Sequence, residues 1–386
     1  MERKLRMGMY GGGQGAFIGA IHRAAALMDG RIELVCGCFS HRPERSLASG
    51  RSYFLPEGRI YRTFEEMIER EAALPEDQRM DFLSIVTPNH LHFAPAMMAL
   101  EHGFDVVLDK PITFSLEEAH QLKAKAKQTG RTVALTHAYA AYPAIFEARE
   151  RVARGDLGTI RKVFVEYTQG WLSQREELQP GSNAAWRTDP LRAGKAGCMG
   201  DIGVHALQMA EMVSGLRCMA LSADVTTFVE GRLLDDDGAA LLRFNNGARG
   251  VLIATQVACG EENNLTLRLY GDKGGLEWAQ MEPNSLYLKW PDRPMEVIRI
   301  GNSYLGAAAQ AHTRGPGGHP EGFIEAFANI YTNFARTSLA RRNGREPDPQ
   351  WLDFPGIEEG LRGMQFIETV ITSGQDDFHK WTPWIE

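Results

Sequence analysis

The nine residues "GDIGVHALQ", Gly200–Gln208, place a carboxylate and an imidazole four positions apart, fenced by two glycines. If residues 201–214 are helical, Asp201 and His205 lie one turn apart on one face. Histidine titrates near neutrality and is suited to moving a proton. A carboxylate one turn away can orient the ring or hold a substrate hydroxyl, and Gly200 and Gly203 would let a ligand come close. The same residues also read as Asp201 capping a helix and His205 satisfied in a core.

Three earlier stretches carry chemistry of their own. In "YGGGQGAFIGAIH", Gly11, Gly13 and Ala16 fit the G-x-G-x-x-G/A spacing between a strand and a helix that Phe17 opens, with Gly15 and Gly19 implying a longer turn. Such a turn lets backbone approach a pyrophosphate at a helix N-terminus. The second strand runs out as "CFSHRPERS", with no acid from Phe39 to Pro43 and with Ser40, His41, Arg42 and Arg45 crowding the spot. An acid there would bind a ribose diol, whereas arginine favours a 2′-phosphate. NAD and NADP therefore both stay open, and the arginines also read as solvated helix-start residues.

In "IVTPNHLH", Thr87, Pro88 and Asn89 end a buried strand where a doubly wound sheet places its ligands, followed by His90, read as a surface residue, and His92. In "VLDKPIT", Asp109, Lys110 and Pro111 end the next strand. A lysine there could orient a hydroxyl and stabilise a developing alkoxide, or simply point to solvent. No metal is expected: Asp201 and His205 would need a third ligand from His312, His319 or elsewhere, without H-x-x-x-H or H-E-x-x-H spacing. No G-x-S-x-G elbow or cysteine–histidine arrangement supports covalent hydrolysis.

The elements that must position these residues follow from texture. Over the first 140 or so residues short apolar runs alternate with helical patterns, which predicts a parallel sheet wound on both faces. From about Arg161 strand-like runs joined by "FNNGAR" and "YGDKGG" predict an α+β domain with a large, mostly antiparallel open sheet, a few helices lying on one face. "GIEEGLRGMQFIETVITSG" reads as a last amphipathic helix. The expected boundaries are 1–142 for a Rossmann dinucleotide-binding domain and 143–350 for a substrate and oligomerisation domain. A C-terminal helix and tail, 351–386, follow.

At 386 residues the chain exceeds one compact core and fits two domains. A net charge of −7 offers no footprint for nucleic acid or an anionic membrane, so a small neutral or polar ligand is the expected partner. Five scattered cysteines (Cys36, Cys38, Cys198, Cys218, Cys259) form no CxxC pair and read as inert buried thiols in a reducing compartment. The N-terminus lacks a signal-peptide apolar core and no stretch approaches a membrane span, which makes the cytoplasm the expected location.

Taken in order, these motifs resemble the Gfo/Idh/MocA family of glucose–fructose oxidoreductases, inositol dehydrogenases and relatives. The resemblance rests on the glycine turn, "TPNHLH", "DKP" in place of the usual Glu-Lys-Pro, and "GCMGDIGVH". It implies a Rossmann domain followed by a two-layer α/β domain, with the last helix packing back on the first domain. It further implies a catalytic lysine at Lys110, an aspartate at Asp201 and a general base at His205. Gly11, Gly13 and Gly15 would match the pyrophosphate turn, and Pro88, Asn89, His92 and Pro111 the surroundings of the nicotinamide and its ribose. "AAWRTDPLRAGKAGCMGD" and "GGHPEGFIEAF" are similar to a subset acting on sugars and anhydrosugars, which would bring Trp186, Arg187, Asp189 and His319 near substrate. The implied activity is NAD(P)-dependent oxidation of a secondary hydroxyl on a cyclic sugar, polyol, anhydrosugar or glycoside. Relatives that open glycosidic bonds by transient oxidation, or bind cofactor as regulators, are the alternatives. A homodimer or homotetramer through the open sheet is expected.

Overall fold

The computed structural model describes residues 3–376 and 381–386. Its contacts divide the chain into two compact units, Met1–Ala138 with Phe327–Leu361, and Tyr139–Ala326 with Arg362–Glu386.

The first unit holds five strands, β1 (Leu5–Gly11), β2 (Ile32–Cys38), β3 (Phe82–Val86), β4 (Asp105–Leu108) and β5 (Val133–Leu135), all parallel in the order β2-β1-β3-β4-β5. Every residue of β3 and β4 is buried, as expected of strands in a sheet covered on both faces. The strand order reverses between β1 and β3, which is where such a sheet opens a ligand crevice. Local sequence agrees with this winding. The helix Leu116–Thr129 begins with a capping box of Ser115 and Glu118 and stops at Gly130, φ +66°.

The amino ends of the strands are locked by charge. Asp81 accepts from Arg3 at 2.6 Å and from the Arg6 backbone at 2.8 Å; Arg342 reaches Asp105 at 2.9 Å, and Ser338 donates to the same carboxylate at 2.6 Å. Burial alone would raise the Asp81 carboxyl, but the hydrogen bonds from Arg3 and Arg6 hold it below its ordinary value.

The second unit is built on nine strands: β6 (Ile160–Thr168), β7 (Cys218–Thr226), β8 (Asp237–Phe244), β9 (Arg249–Thr255), β10 (Asn264–Gly271), β11 (Gly275–Ala279), β12 (Ser285–Lys289), β13 (Glu296–Arg299) and β14 (Thr382–Pro383). Their order is β13-β12-β11-β10-β6-β9-β8-β7-β14, antiparallel except for the parallel pair β6–β9. Along β8, Gly238, Ala240, Leu242 and Phe244 are buried while Ala239, Leu241 and Arg243 are exposed, so one sheet face is covered and the other open. Helices Pro143–Ala153 and Val204–Ser214 lie against the covered side. Thr168 of β6 pairs with both Thr255 of β9 and Asn264 of β10. That register collects the residues just past three strand ends at one edge.

The units do not coincide with the boundaries 142 and 350. Phe327–Leu361 groups with the first unit, because its long helix supplies Tyr331, Ser338 and Arg342 to Ser84 and Asp105 of that sheet. Arg362–Glu386 groups with the second, where buried Glu211 takes Arg362 as counter-ion at 2.7 Å and Thr382 pairs with Leu221 at the open edge of β7. Four cysteines are buried as expected, but Cys259 is exposed in the turn after β9, where the chain leaves the sheet. No helix among the described residues is long and apolar enough to cross a membrane.

Candidate active site

In the first unit, β1 runs straight into the glycine turn and then into the helix Phe17–Met28. Ala16 offers no side-chain cap and the first turn of the helix carries no acidic residue. A Cβ on Gly19 would sit 2.2 Å from the Gly12 Cα, which is why helix and turn can touch only through glycine. Gly13 backs onto the Phe39 carbonyl and the Ser49 hydroxyl, and Gly11 onto Thr87 and Val86. Gly15 differs: at φ +83° a Cβ there would meet nothing within 4 Å, leaving the turn open on that side. This chemistry fits a dinucleotide pyrophosphate: uncapped amides, no competing carboxylate and a side-chain-free approach. Gly19→Ala is expected to force the helix off the turn and weaken dinucleotide binding at least about tenfold, equivalent to about 1.4 kcal/mol. Fluorescence titration against wild type checks this; unchanged affinity would contradict the cradle.

At the end of β2, Ser40 is half-buried and accepts from the Arg42 N–H at 3.2 Å, while Arg42 and Arg45 are exposed. At the end of β3, Thr87 and Pro88 are half-buried, Asn89 is buried and His90 is exposed, the surface position read for it. His92 is fully buried. Its Nδ1 lies 2.9 Å from the Pro111 carbonyl and its Nε2 2.8 Å from the Thr87 carbonyl. The ring thus sits between the two strand-end loops, its single N–H donating to one of the two carbonyls. Burial lowers its pKa, against the two carbonyls. Asp109 turns inward as well, accepting from the Lys110 N–H at 2.9 Å and from Thr136 Oγ1 at 3.0 Å. Half-buried Lys110 follows it and precedes Pro111 through a cis bond. Its ammonium reaches the field of His137, a buried ring drawn down to about 3 by burial and then by the Lys110 charge.

In the second unit the helical segment opens with a π turn, Met199–Gly203, and continues as the α-helix Val204–Ser214. Asp201 consequently lies inside the helix and does not cap it; its N–H bonds to the Gly197 carbonyl at 2.8 Å. Asp235, from the residues before β8, takes over the cap. Its carboxylate accepts from the Gly197 and Met199 N–H groups at 2.6 and 2.7 Å, and burial pushes it up to about 6. Gly200 and Gly203 do not make room for a ligand. Both are buried, against Ala196 and Ile367, and against Phe366 and Met199, because the chain packs that closely there.

Asp201 Oδ2 accepts from Gln256 Nε2 at 2.9 Å and faces Arg187 Nε at 3.6 Å. The Arg187 guanidinium lies 4.4 Å from the Trp186 ring centroid. His205 is buried, with the rings of Tyr139 and Tyr167 set edge-on at 4.9 and 6.2 Å. Asp189 accepts from the Leu191 N–H at 2.9 Å and caps a short helix. His319 is exposed and bonds locally, to the Pro316 carbonyl at 3.3 Å. Sequence reading missed His137 beside Lys110, and Tyr139, Gln169, Gln256 and Asn263 around Asp201 and His205. Their only sequence signal is position just outside strand ends.

Family models match both parts of the chain: an oxidoreductase family with an NAD-binding Rossmann fold over residues 5–137, and the GFO/IDH/MocA C-terminal domain over residues 145–277. The chain is similar to an inositol dehydrogenase homolog from Azotobacter vinelandii solved with NAD+, at 33% identity and TM-score 0.93, covering 100% of this chain and 98% of that one. The homolog's complex with NADH and myo-inositol matches at 32% identity and TM-score 0.92, with the same coverage. An oxidoreductase from Sinorhizobium meliloti is 40% identical with TM-score 0.87, over 99% and 100% of the two chains. By sequence, levoglucosan dehydrogenase from Pseudarthrobacter phenanthrenivorans is 26% identical over 64% of this chain and 67% of its own.

Proposed function

Because the chain belongs to the Gfo/Idh/MocA family of oxidoreductases, with its NAD-binding Rossmann fold, we propose that it reversibly oxidises a secondary hydroxyl of a cyclic polyol or sugar to the ketone. The observation that carries the reading is the cluster on the π-turned helix: an aspartate held by an amide and a guanidinium, one turn before a histidine set among aromatic edges. The names of the A. vinelandii homolog and of levoglucosan dehydrogenase support a cyclitol or an anhydrosugar as substrate.

When bound, the nicotinamide supplies the hydride acceptor. The chain's own residues handle binding and the proton. The glycine turn would hold the pyrophosphate, and Thr87, Pro88 and Asn89 would line the approach to the nicotinamide end. His205 takes the proton of the substrate hydroxyl, and the Lys110 ammonium stabilises the oxygen as negative charge grows on it. Asp201, acceptor-only when ionised, holds a neighbouring substrate hydroxyl or the imidazole, while Arg187 and Trp186 bound the polar side of the substrate. With no acid from Phe39 to Pro43 and with Ser40 and Arg42 there, the end of β2 leaves NADP open beside NAD as the cofactor.

The test is a spectrophotometric screen against inositols, sugars, anhydrosugars and glycosides, with NAD+ and NADP+ supplied separately. Substrate-dependent reduced cofactor is expected. Sugar released without accumulating reduced cofactor would replace this reading with a glycosidase, and silence despite cofactor binding with a regulator. We further propose that a second copy covers the open sheet face, where Leu241 is 47% exposed and Val251 and Ile253 are half-buried. Light scattering should give a dimer or tetramer, and Leu241→Arg should shift it towards monomer; a wild-type monomer would refute it.

A further inference from the structure

The polar groups beyond the strand ends of the second unit form one chain whose direction chemistry dictates. At one end stands the Asp201 carboxylate, an acceptor when ionised; at the other, the Trp171 indole N–H, which can only donate. Gln256 Nε2 lies 2.9 Å from Asp201 Oδ2 and 3.2 Å from Gln169 Oε1, so its two amide hydrogens meet two acceptors. Gln169 Oε1 also accepts from Trp171 Nε1 at 3.0 Å, which forces Gln169 Nε2 outward onto Asn263 Oδ1 at 2.7 Å. Asn263 Nδ2 in turn donates to the Tyr139 hydroxyl at 3.1 Å, and Tyr167 donates to Asn263 Oδ1 at 2.7 Å. Tyr139 and Tyr167 are the two rings set against His205. One run of hydrogen bonds therefore links the carboxylate to the walls of the imidazole.

Gln256 is the most buried of the three amide side chains in this run. It is 2% exposed, its N–H bonds to the Asp236 carbonyl at 2.9 Å, and it follows β9 directly. A buried amide that donates to a carboxylate favours the ionised form and fixes its rotamer.

We infer that Gln256 is a positioning residue for the reaction, holding Asp201 ionised and aimed through its side-chain amide, with Gln169, Asn263 and Tyr139 carrying the same order to His205. The inference rests on the proposed dehydrogenase reading. It has a consequence that packing alone does not. Without the donor, Asp201 takes up a proton at higher pH, so the acid limb of kcat/KM moves upward.

The test compares wild type with Gln256→Leu, Gln256→Asn and Gln256→Glu on a substrate found for the wild type, measuring kcat and KM across pH together with thermal midpoints. Gln256→Leu is expected to lower kcat/KM by about 10- to 100-fold, the weight of one or two charge-assisted hydrogen bonds. Its acid limb should move up by about one pH unit, the scale on which one hydrogen bond shifts a carboxyl. Gln256→Glu is near-isosteric and sets a second carboxylate against Asp201. The pair then shares a proton, which should move the limb further, so this variant keeps the test alive if Gln256→Leu fails to fold. Variants with wild-type pH profiles and rates would overturn the inference while leaving the dehydrogenase standing. A wild type that turns over nothing would remove both.

Discussion

Replacing His205 by alanine should lower turnover by about 10²- to 10⁴-fold, the usual contribution of a positioned acid or base, with dinucleotide affinity little changed. His205 is 7% exposed and its ring is set against Tyr139 and Tyr167, so it is held by packing. Alanine leaves a gap, with a stability cost of about 1–3 kcal/mol for a truncation of this size. His205→Gln fills most of that volume without a base of similar pKa, and it should be as inactive as His205→Ala while unfolding like wild type. Turnover near normal in either variant would remove His205 from the reaction. Lys110→Met keeps the aliphatic stem and deletes the ammonium, so it should also lower turnover, through the uncompensated charge on the substrate oxygen.

Acid should weaken the first unit well above the range where carboxylates titrate. His22 is fully buried, with Nδ1 2.7 Å from the Tyr331 hydroxyl and no partner on Nε2; burial draws it down to about 4. His137 is drawn to about 3, by burial first and the Lys110 charge second. Both folded values lie below the ordinary 6.5, so the unfolded chain binds protons first. Their stabilising effect is complete above pH 6.5 and declines as pH falls towards 4 and then 3. At about 1.4 kcal/mol per pH unit, His22 alone accounts for a loss of about 3 kcal/mol. Asp235 acts in the opposite sense, its raised carboxyl taking up protons below about pH 6, but it lies in the second unit and offsets only part of the loss. Urea midpoints between pH 7.5 and 4.5 should fall, and less steeply in His22→Gln, which keeps a donor for Tyr331 and cannot charge. An identical slope in wild type and variant would show that this imidazole is not the titrating group.

Two glycines at the turn illustrate how local chemistry can be legible while its purpose is not. The spacing of Gly11, Gly13 and Ala16 is visible in the chain, and the structure builds a strand, a turn and an uncapped helix from it. Gly200 and Gly203 look alike in sequence, yet they serve packing against Ala196, Ile367 and Phe366. A glycine announces a close approach without saying what approaches. The π turn around Asp201 is likewise invisible in a pattern that fits an ordinary helix, because its cap, Asp235, comes from 34 residues further along.

What the sequence by itself determined is whatever depends on neighbours along the chain. That includes the alternation that winds five parallel strands, the turn residues of the second sheet, the capping box at Ser115, and the order of motifs that carries the family likeness. Only the tertiary structure decided which distant residues share a site. Gln169, Gln256 and Asn263 each sit one step outside a strand, and nothing in their own surroundings singles them out. The register in which Thr168 meets both Thr255 and Asn264 brings them within hydrogen-bonding reach of one another and of Asp201. Register is set by burying one face of the whole sheet, a cost shared by nine strands, and so it cannot be read from any one of them.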